Sequence, residues 1–349
     1  MIGIVKRQAV IVLLFICFFP TMAVAQVGQF KLKQVLQDAN AGDISACAYL
    51  GQMYYEGTGV AQNYNEAFKW YQKAADNGGT GAYSWLGVMY YNGEGVAQNY
   101  EKAFLWTKKA AENGAADAYV GLGVMYYNGE GVAQNYNEAF KWLQKAADNG
   151  AADNGAADAF AYLGAMYYAG DGVAQNYNEA FKWFQKAADN GIAYAFAYLG
   201  QMYYEGTGVA QNYNEAFKWY QKAADNGGTG AYVGLGVMYY NGQGVAQNYE
   251  KAFKYAELAI KNDTLDIVGH LILAKLYIHG YGVEKNIAKA EALIEQALAH
   301  CKKDGSSDYP CNTMDAKGEL FWVMGDKVKA KEIYDSINKN APDFYAKLR

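Results

Sequence analysis

The chain has 349 residues, with 30 lysines and arginines against 35 aspartates and glutamates, so its formal net charge at pH 7 is −5. This mild acidity argues against a nucleic-acid-binding protein and against binding to anionic membrane surfaces. Aromatic residues make up 16% of the chain, and 33 residues are tyrosines, most of which recur at fixed positions. That recurrence predicts the fold more directly than the composition does.

Residues 1–25 have the organisation of a signal peptide. Lys6 and Arg7 precede an apolar run, and Ala23–Ala25 provides a cleavage site of small residues. The run is too short to span a bilayer, and no later stretch reaches that length. We therefore expect a periplasmic or secreted protein that is not an integral membrane protein and whose mature chain begins at Gln26.

A stretch of similar sequence returns six times after this segment. Each copy is marked by the glycine of a common LGxMYY core, and the copies are 36 residues apart, except for 41 between the third and the fourth. The six marker glycines are Gly51, Gly87, Gly123, Gly164, Gly200 and Gly236. A fixed period in this range indicates supersecondary units that stack on one another.

The copy from Asp43 to Gly78 predicts two amphipathic helices joined by a turn. The apolar positions are Ala46, Leu50, Met53 and Tyr54 in the first helix, and Ala67, Trp70, Tyr71, Ala74 and Ala75 in the second. The glycine that closes the copy is typical of a helix end. One such pair cannot bury its own apolar face, so we expect neighbouring pairs to cover it.

Five positions of this copy define its local geometry. Gly51 lies inside the first helix, where glycine is unfavourable, which indicates that another helix passes close to it. Gly57 and Gly59 provide the turn. Asn63 is predicted to cap the second helix in a capping box with Glu66.

These copies resemble the Sel-one-like repeat, a relative of the tetratricopeptide repeat. The resemblance is carried by A-x-x-x-L-G-x-M-Y-x-x-G-x-G-V, followed by N-Y-x-x-A-x-x-W and K-A-A-x-x-G. It implies an all-α fold, a right-handed α-solenoid with a tetratricopeptide-like superhelix, whose concave face commonly holds a protein or peptide partner. We therefore expect an exported scaffold for protein–protein interaction in the bacterial cell envelope or outside the cell.

The remaining segments fit around this array. In chain order we predict a capping helix in 26–42, six repeats in 43–263 with a five-residue insertion at 151–155, a degenerate seventh repeat in 264–303 with Ala274 at the core glycine, and a polar loop with a capping helix pair in 304–349. The ends of solenoids are atypical because they shield the stack. The period alone predicts one continuous array.

The first helix of each copy carries a tyrosine on the side that does not face the core. With two neighbours in the first copy, the candidate partner-binding residues are Gln52, Tyr55, Glu56, Tyr91, Tyr127, Tyr168, Tyr204 and Tyr240. Tyrosine combines apolar area with a hydroxyl, which suits interfaces. Two interpretations stay open, since these tyrosines could form a ligand-facing row on the concave face or pack between repeats.

The cysteines suggest one disulfide. Cys301 and Cys311 flank a polar loop, and an exported chain permits a bridge between them. Cys47 occupies a position that is aromatic in the other copies, which predicts a buried thiol. A lipid-anchored start at Cys17 is the alternative to cleavage before the predicted mature terminus, but the bulky Ile16 before it argues against lipidation.

No catalytic, cofactor-binding or metal-binding residues stand out. His270, His279 and His300 lack the spacing of zinc ligands. Ser336–Lys339 matches a serine–lysine motif of β-lactamases, which some family members have been labelled as, but the companion motifs are missing. Two alternatives to the scaffold stay open: a β-lactamase-like or cell-wall-binding envelope protein, and a structural spacer without a specific ligand. Repetition of each candidate group favours a surface or a spacer over an active site.

Overall fold

The computed structural model describes residues 29–149, 154–263, 266–304 and 309–340. Over these residues the chain forms seventeen helices and no strand, which confirms the all-α class and the helix–turn–helix repeat. The contacts between helices group the chain into two compact units, Met1–Gly191 and Ile192–Arg349, where the period alone predicts one array. Because a repeat packs mainly on its neighbours, such a chain has no single central core.

The first unit contains one helix followed by four helix pairs. These are α1 (Gln29–Asn40), then α2 (Ile44–Glu56) with α3 (Tyr64–Asp76), α4 (Gly81–Asn92) with α5 (Tyr100–Glu112), α6 (Ala116–Asn128) with α7 (Tyr136–Asn149), and α8 (Asn154–Ala169) with α9 (Tyr177–Asp189). Each pair holds one copy of the repeat. The LGxMYY core lies in the first helix of a pair, and the second helix begins directly after the turn.

The second unit contains four further pairs. These are α10 (Ala193–Glu205) with α11 (Tyr213–Asp225), α12 (Ala231–Asn241) with α13 (Tyr249–Asn262), α14 (Ile267–His279) with α15 (Ile287–Asp304), and α16 (Tyr309–Val323) with α17 (Lys327–Asn340). The pair α14–α15 carries the degenerate repeat, in which Ala274 is fully buried at the place of the core glycine.

The second helix of each repeat begins at an asparagine cap. The Asn63 side chain accepts a hydrogen bond from the backbone N–H of Glu66 at 3.2 Å, which confirms the predicted cap. The backbone N–H of Asn63 donates instead to Tyr54 O across the turn, at 2.8 Å. The predicted capping box is therefore wrong in its second half, because that donor is already satisfied and the Glu66 carboxylate pairs with Lys69.

The core glycines make room for the second helix of their own repeat. A Cβ on Gly123 would lie 2.7 Å from Leu143 Cγ, and a Cβ on Gly51 would lie 2.7 Å from the Tyr71 ring. Both distances are shorter than real carbon contacts. The close helix approach inferred from the sequence is therefore confirmed.

The two turn glycines of a repeat have different structural roles. Gly93 ends α4 in the left-handed region at φ 76°, and its N–H donates to Met89 O at 2.9 Å. Gly95 has φ 70°, and a Cβ there would overlap the backbone at Tyr64 O of the preceding repeat. The same overlap recurs for Gly131 with Tyr100 and for Gly172 with Tyr136. The second glycine therefore permits close contact between the backbones of neighbouring repeats.

Helix α1 covers the exposed end of the first repeat. Ala39 is fully buried, and its carbonyl oxygen accepts hydrogen bonds from Cys47 Sγ at 3.4 Å and Lys73 Nζ at 2.7 Å. Cys47 has no exposed surface, which confirms the predicted buried thiol. Burial raises the pKa of this thiol, so it stays protonated at neutral pH.

We expect Gly123→Leu to lower the free energy of unfolding by at least about 2 kcal/mol, because the added side chain overlaps Leu143 in a site without room. Urea unfolding followed by circular dichroism measures this loss. Hydrogen exchange should place the first loss of protection in the third repeat, because coupling in such an array runs through nearest neighbours.

The matched control is Gly121→Ala, two residues earlier in α6. A Cβ on Gly121 would meet only Thr107 Cγ2, at 3.5 Å, so alanine fits without a clash. We expect this variant to unfold at least as late as the wild type, since alanine favours a helix over glycine by about 1 kcal/mol. This account of the core glycine would be contradicted if both variants lost the same free energy of unfolding. It would also be contradicted if hydrogen exchange showed a uniform loss of protection in all repeats.

Candidate functional site

The candidate tyrosines of the first unit form hydrogen bonds from one repeat to the next. Each acceptor lies between the two turn glycines of the following repeat. Tyr55 donates to Glu94 at 2.7 Å, Tyr91 to Glu130 at 2.8 Å, and Tyr127 to Asp171 at 3.2 Å. We call this surface the tyrosine face, made of Tyr55, Tyr91, Tyr127 and Tyr168 with Glu94, Glu130 and Asp171.

The tyrosine rings also pack against other aromatic rings. The Tyr55 ring centre lies 5.1 Å from that of Tyr64 in its own repeat and 4.9 Å from that of Trp85 in the next repeat. Tyr127 lies between Tyr136 and Tyr162 and is only 8% exposed. These contacts give the rings a structural task between repeats, and a ligand-facing role for them stays a prediction.

The same surroundings keep the hydroxyl groups protonated. Burial raises the pKa of Tyr55 and Tyr91 well above the ordinary value, and the hydrogen bonds to Glu94 and Glu130 raise it further. A phenolate beside a carboxylate would place two negative charges at hydrogen-bond distance. The hydroxyl groups therefore remain donors at neutral pH.

The three carboxylates make the tyrosine face acidic. Within the part of the chain that the structure describes, no lysine or arginine forms an ion pair with Glu94, Glu130 or Asp171. The lysines of the first unit that form ion pairs do so on the second helices, as Lys141 does with Glu138 at 2.6 Å. The face thus presents negative charges, one repeat apart, that no positive side chain among the described residues neutralises.

Gln52 and Glu56 lie at the start of the first unit and bond to each other. The Gln52 side-chain amide donates to Glu56 Oε1 at 2.9 Å, and Glu56 is exposed. These two side chains lie one helical turn apart on α2, as the sequence predicts. Their role in binding stays a prediction.

The two corresponding tyrosines of the second unit have different surroundings from those of the first. Tyr204 donates to the side-chain amide oxygen of Gln243 at 2.8 Å, where the first unit has a carboxylate. Burial, followed by the charge of Glu319, raises the pKa of Tyr240 to about 12. Tyr204 therefore shares the position of the first unit's tyrosines without a carboxylate acceptor, whereas Tyr240 lies near the carboxylate of Glu319.

Sequence reasoning missed an ionic cluster at the end of the second unit. Glu319 on α16 lies 2.7 Å from His279 Nε2 and 3.6 Å from Lys275 Nζ, and the Tyr281 ring stacks on His279. Glu319 is 40 residues from His279 in the chain. No local pattern links them, because the repeat that supplies the glutamate is the atypical terminal one.

Sequence reasoning also missed a row of lysines over aromatic rings. Lys109 Nζ lies 4.1 Å from the centre of the Tyr83 ring and 4.9 Å from that of Trp106. Lysines in other repeats lie over equivalent rings in the same way. The W-x-x-K spacing in those copies was the available signal, since it places the two side chains one helical turn apart.

Several predicted features lie outside the described residues. The side chains of Cys301 and Cys311 are among them, so the candidate disulfide stays a prediction, as do the side chains of Ser336–Lys339 and the segment 1–25. Among the residues that the structure does describe, no helix is long and apolar enough to cross a bilayer. Within the same residues, no three His, Cys, Asp or Glu side chains are grouped as metal ligands would be.

The family model of the Sel1 repeat matches most of the chain. Its seven matches cover residues 44–79, 80–114, 116–150, 157–192, 193–228, 229–263 and 268–300. The chain belongs to the Sel1 repeat family. The match confirms the resemblance drawn from the sequence, including the degenerate seventh copy.

Solved structures of Sel1 repeat proteins have the same fold. The antigen c5321 of uropathogenic Escherichia coli, which displays an SLR fold, is 29% identical with a TM-score of 0.62, over 83% of this chain and 71% of that one. A Sel1 repeat protein of Oxalobacter formigenes is 31% identical with a TM-score of 0.60, over 72% of this chain and 96% of that one. A search of curated proteins gave no match.

We expect Tyr91→Phe to lower the free energy of unfolding by about 1 kcal/mol at pH 8, because it removes the hydrogen bond to Glu130. Because the pKa of Tyr91 is raised in the folded chain, the free energy of unfolding also depends on pH. Its stabilisation is complete below the unfolded pKa of about 10 and is lost as the pH rises above it, because only the unfolded chain then ionises. Urea unfolding at pH 8 and pH 11 should therefore give a larger drop for wild type than for the variant.

Tyr49→Phe is the control for this comparison. Tyr49 lies on α2 and is 41% exposed. We expect the free energy of unfolding of this variant to equal that of the wild type at both pH values. Equal pH dependence in wild type and Tyr91→Phe would contradict the assignment of the alkaline loss to the Tyr91–Glu130 contact.

Proposed function

We propose that this Sel1 repeat protein is an exported scaffold whose tyrosine face binds a protein or peptide partner rich in lysine or arginine. The supporting observation is the row formed by Glu94, Glu130 and Asp171, whose carboxylates have no positive partner among the described residues. Membership of a family of protein-binding repeats supports a partner of this class. The position of this face on the concave side stays the sequence-based prediction.

The tyrosines give this face a fixed geometry. Each carboxylate accepts a hydrogen bond from the preceding repeat, so it is held in place before a partner arrives. Holding side chains in advance lowers the entropy cost of binding. An extended segment with positive charges at matching intervals would meet all three carboxylates at once.

The test removes the charges and keeps the hydrogen bonds. In the triple variant Glu94→Gln, Glu130→Gln, Asp171→Asn, each amide oxygen can still accept from its tyrosine, as Gln243 does from Tyr204. Each exposed ion pair contributes roughly 0.2–1 kcal/mol. We expect the dissociation constant of a lysine-rich peptide, measured by calorimetry at low salt, to rise about tenfold, and the difference to shrink as salt increases.

A second triple variant removes the same number of charges from another surface. Glu66→Gln, Glu138→Gln and Glu179→Gln each break an ion pair with a lysine on the second helices. We expect this control to bind the peptide as tightly as the wild type. If both triple variants weaken binding equally, the effect comes from net charge, and the tyrosine face should be abandoned as the binding surface.

Export is part of the proposal and has its own measurement. The positive start, the apolar run and Ala23–Ala25 support cleavage after residue 25. N-terminal sequencing of protein recovered from cells should begin at Gln26. Recovery of an uncleaved chain, or of a lipid-modified chain beginning at Cys17, would contradict it.

The structural spacer stays the second candidate, because the tyrosine contacts between repeats are the ones a spacer needs. A spacer requires only that the repeats be stable, and carboxylates without ion pairs are not required for that. If the charge-removing triple variant behaves as wild type in binding, stability and cellular function alike, the spacer is the better account.

A further inference from the structure

A second row of tyrosines borders the tyrosine face. We call Tyr64, Tyr100 and Tyr136 the outer tyrosines; they are the first residues of α3, α5 and α7 and lie one repeat apart in the chain. Their ring centres lie 5.1 Å from those of Tyr55, Tyr91 and Tyr127, respectively, in edge-on contacts. Tyr100 is 40% exposed, and the other two are half-buried. Each of these repeats therefore brings two tyrosine hydroxyl groups to this face.

A glutamine determines how each outer hydroxyl group is used. Gln98 Nε2 donates to the backbone oxygen of Tyr91 at 2.8 Å and to the Tyr100 hydroxyl at 3.1 Å. Because a carbonyl oxygen only accepts, the first bond fixes the orientation of the amide, and the Tyr100 hydroxyl is the acceptor in the second. Its own hydrogen therefore points away from the glutamine. The same pairing recurs for Gln62 with Tyr64 at 3.1 Å and for Gln134 with Tyr136.

The outer hydroxyl groups differ in this respect from those of the tyrosine face. The hydroxyl of Tyr55 donates to Glu94, so its hydrogen is already used. Among the residues that the structure describes, none accepts a hydrogen bond from an outer tyrosine. The outer tyrosines thus present three donors, held by glutamines, to an acceptor from outside the chain.

Each outer tyrosine lies next to one of the carboxylates. A Cβ on Gly95, the residue after Glu94, would overlap the backbone oxygen of Tyr64. The same overlap joins Tyr100 to Gly131, which follows Glu130, and Tyr136 to Gly172, which follows Asp171. Burial raises the pKa of Tyr136, and the charge of Asp171 raises it further, as expected for close neighbours. Each of the three junctions therefore combines one outward donor with one carboxylate.

We propose that the outer tyrosines donate hydrogen bonds to main-chain carbonyl oxygens of the bound segment, while its lysine side chains pair with Glu94, Glu130 and Asp171. A lysine residue carries both groups, a carbonyl oxygen and an ammonium group, and so matches one junction. A polyamine has the ammonium groups but no carbonyl oxygen. The face therefore selects a polypeptide over other polycations. This inference rests on the proposed function and adds the groups that recognise the main chain.

The test compares two ligands of equal charge on the full mature chain. A tetralysine peptide blocked at both ends carries the same number of positive charges as spermine, but only the peptide has carbonyl oxygens. The triple variant Tyr64→Phe, Tyr100→Phe, Tyr136→Phe keeps the three rings and removes the three donors. By calorimetry at low salt, we expect its dissociation constant for tetralysine to rise about tenfold and its dissociation constant for spermine to stay that of the wild type.

A double variant, Tyr49→Phe with Tyr213→Phe, is the matched control. Tyr49 is 41% exposed on α2, away from the glutamine pairs. Tyr213 holds the outer position in the second unit, where Gly244 contacts its backbone, but its junction has Gln243 in place of a carboxylate. We expect this variant to bind both ligands as the wild type does. Circular dichroism checks that the variants are folded, and if the triple variant is not, Tyr100→Phe alone should raise the dissociation constant for tetralysine about threefold.

The outcomes separate this inference from the proposed function. If the triple phenylalanine variant binds tetralysine as tightly as the wild type, or loses affinity for both ligands equally, main-chain recognition by the outer tyrosines is wrong. The proposed function survives that result as long as Glu94→Gln, Glu130→Gln, Asp171→Asn weakens the binding of both ligands. If the charge-removing variant has no effect, or neither ligand binds the wild type, both proposals are wrong.

Discussion

The spacing between neighbouring repeats depends on a backbone contact that leaves no room for a side chain. The second turn glycine lies against the first residue of the preceding second helix, as Gly95 does against Tyr64 and Gly131 against Tyr100. Because the acceptor for the tyrosine hydroxyl is the residue just before that glycine, the same contact brings Glu94 within 2.7 Å of Tyr55. The stacking of the repeats and the geometry of the candidate site therefore have one cause. In an array stabilised by nearest-neighbour interfaces, this contact affects each of the junctions within a unit at which it is seen.

The structure of one repeat could be predicted because it depends on interactions between residues within one copy. The candidate site was harder to predict because its contacts join residues that are far apart in the chain. The Asn63 cap and the crowded Gly51 follow from residues within one copy, and both are confirmed. The capping box was wrong because its second donor bonds across the turn to Tyr54. The hydroxyl partner of Tyr55 lies 39 residues away, so a reading of one copy could not find it. The repeat period does imply it, once stacking is known to offset partners by one unit.

Identical copies do not produce identical surfaces. Residues 48–83 and 197–232 have the same sequence. Even so, Tyr55 in the first stretch bonds to a carboxylate, whereas Tyr204 in the second bonds to an amide. The second residue after the repeated stretch also differs. It is Trp85 in one case, which stacks on Tyr71, and Gly234 in the other, which lies close to the Tyr220 ring. Each surface lies at a junction and includes side chains from two neighbouring copies. Two identical copies therefore have different surfaces when the copies that follow them differ. Differences between copies are therefore the informative positions of this chain.

The charge on the tyrosine face is the feature that packing does not explain. Tyr204 donates to Gln243 at 2.8 Å, the same distance as Tyr91 to Glu130, so an amide serves the junction as well as a carboxylate does. A carboxylate in a half-buried junction also carries a desolvation cost that an amide largely avoids. Three successive junctions of the first unit nevertheless place an acid there, without a positive partner among the described residues. This negative charge, which the amide at Gln243 shows the junction does not require, is the feature on which the proposed recognition of a cationic partner rests.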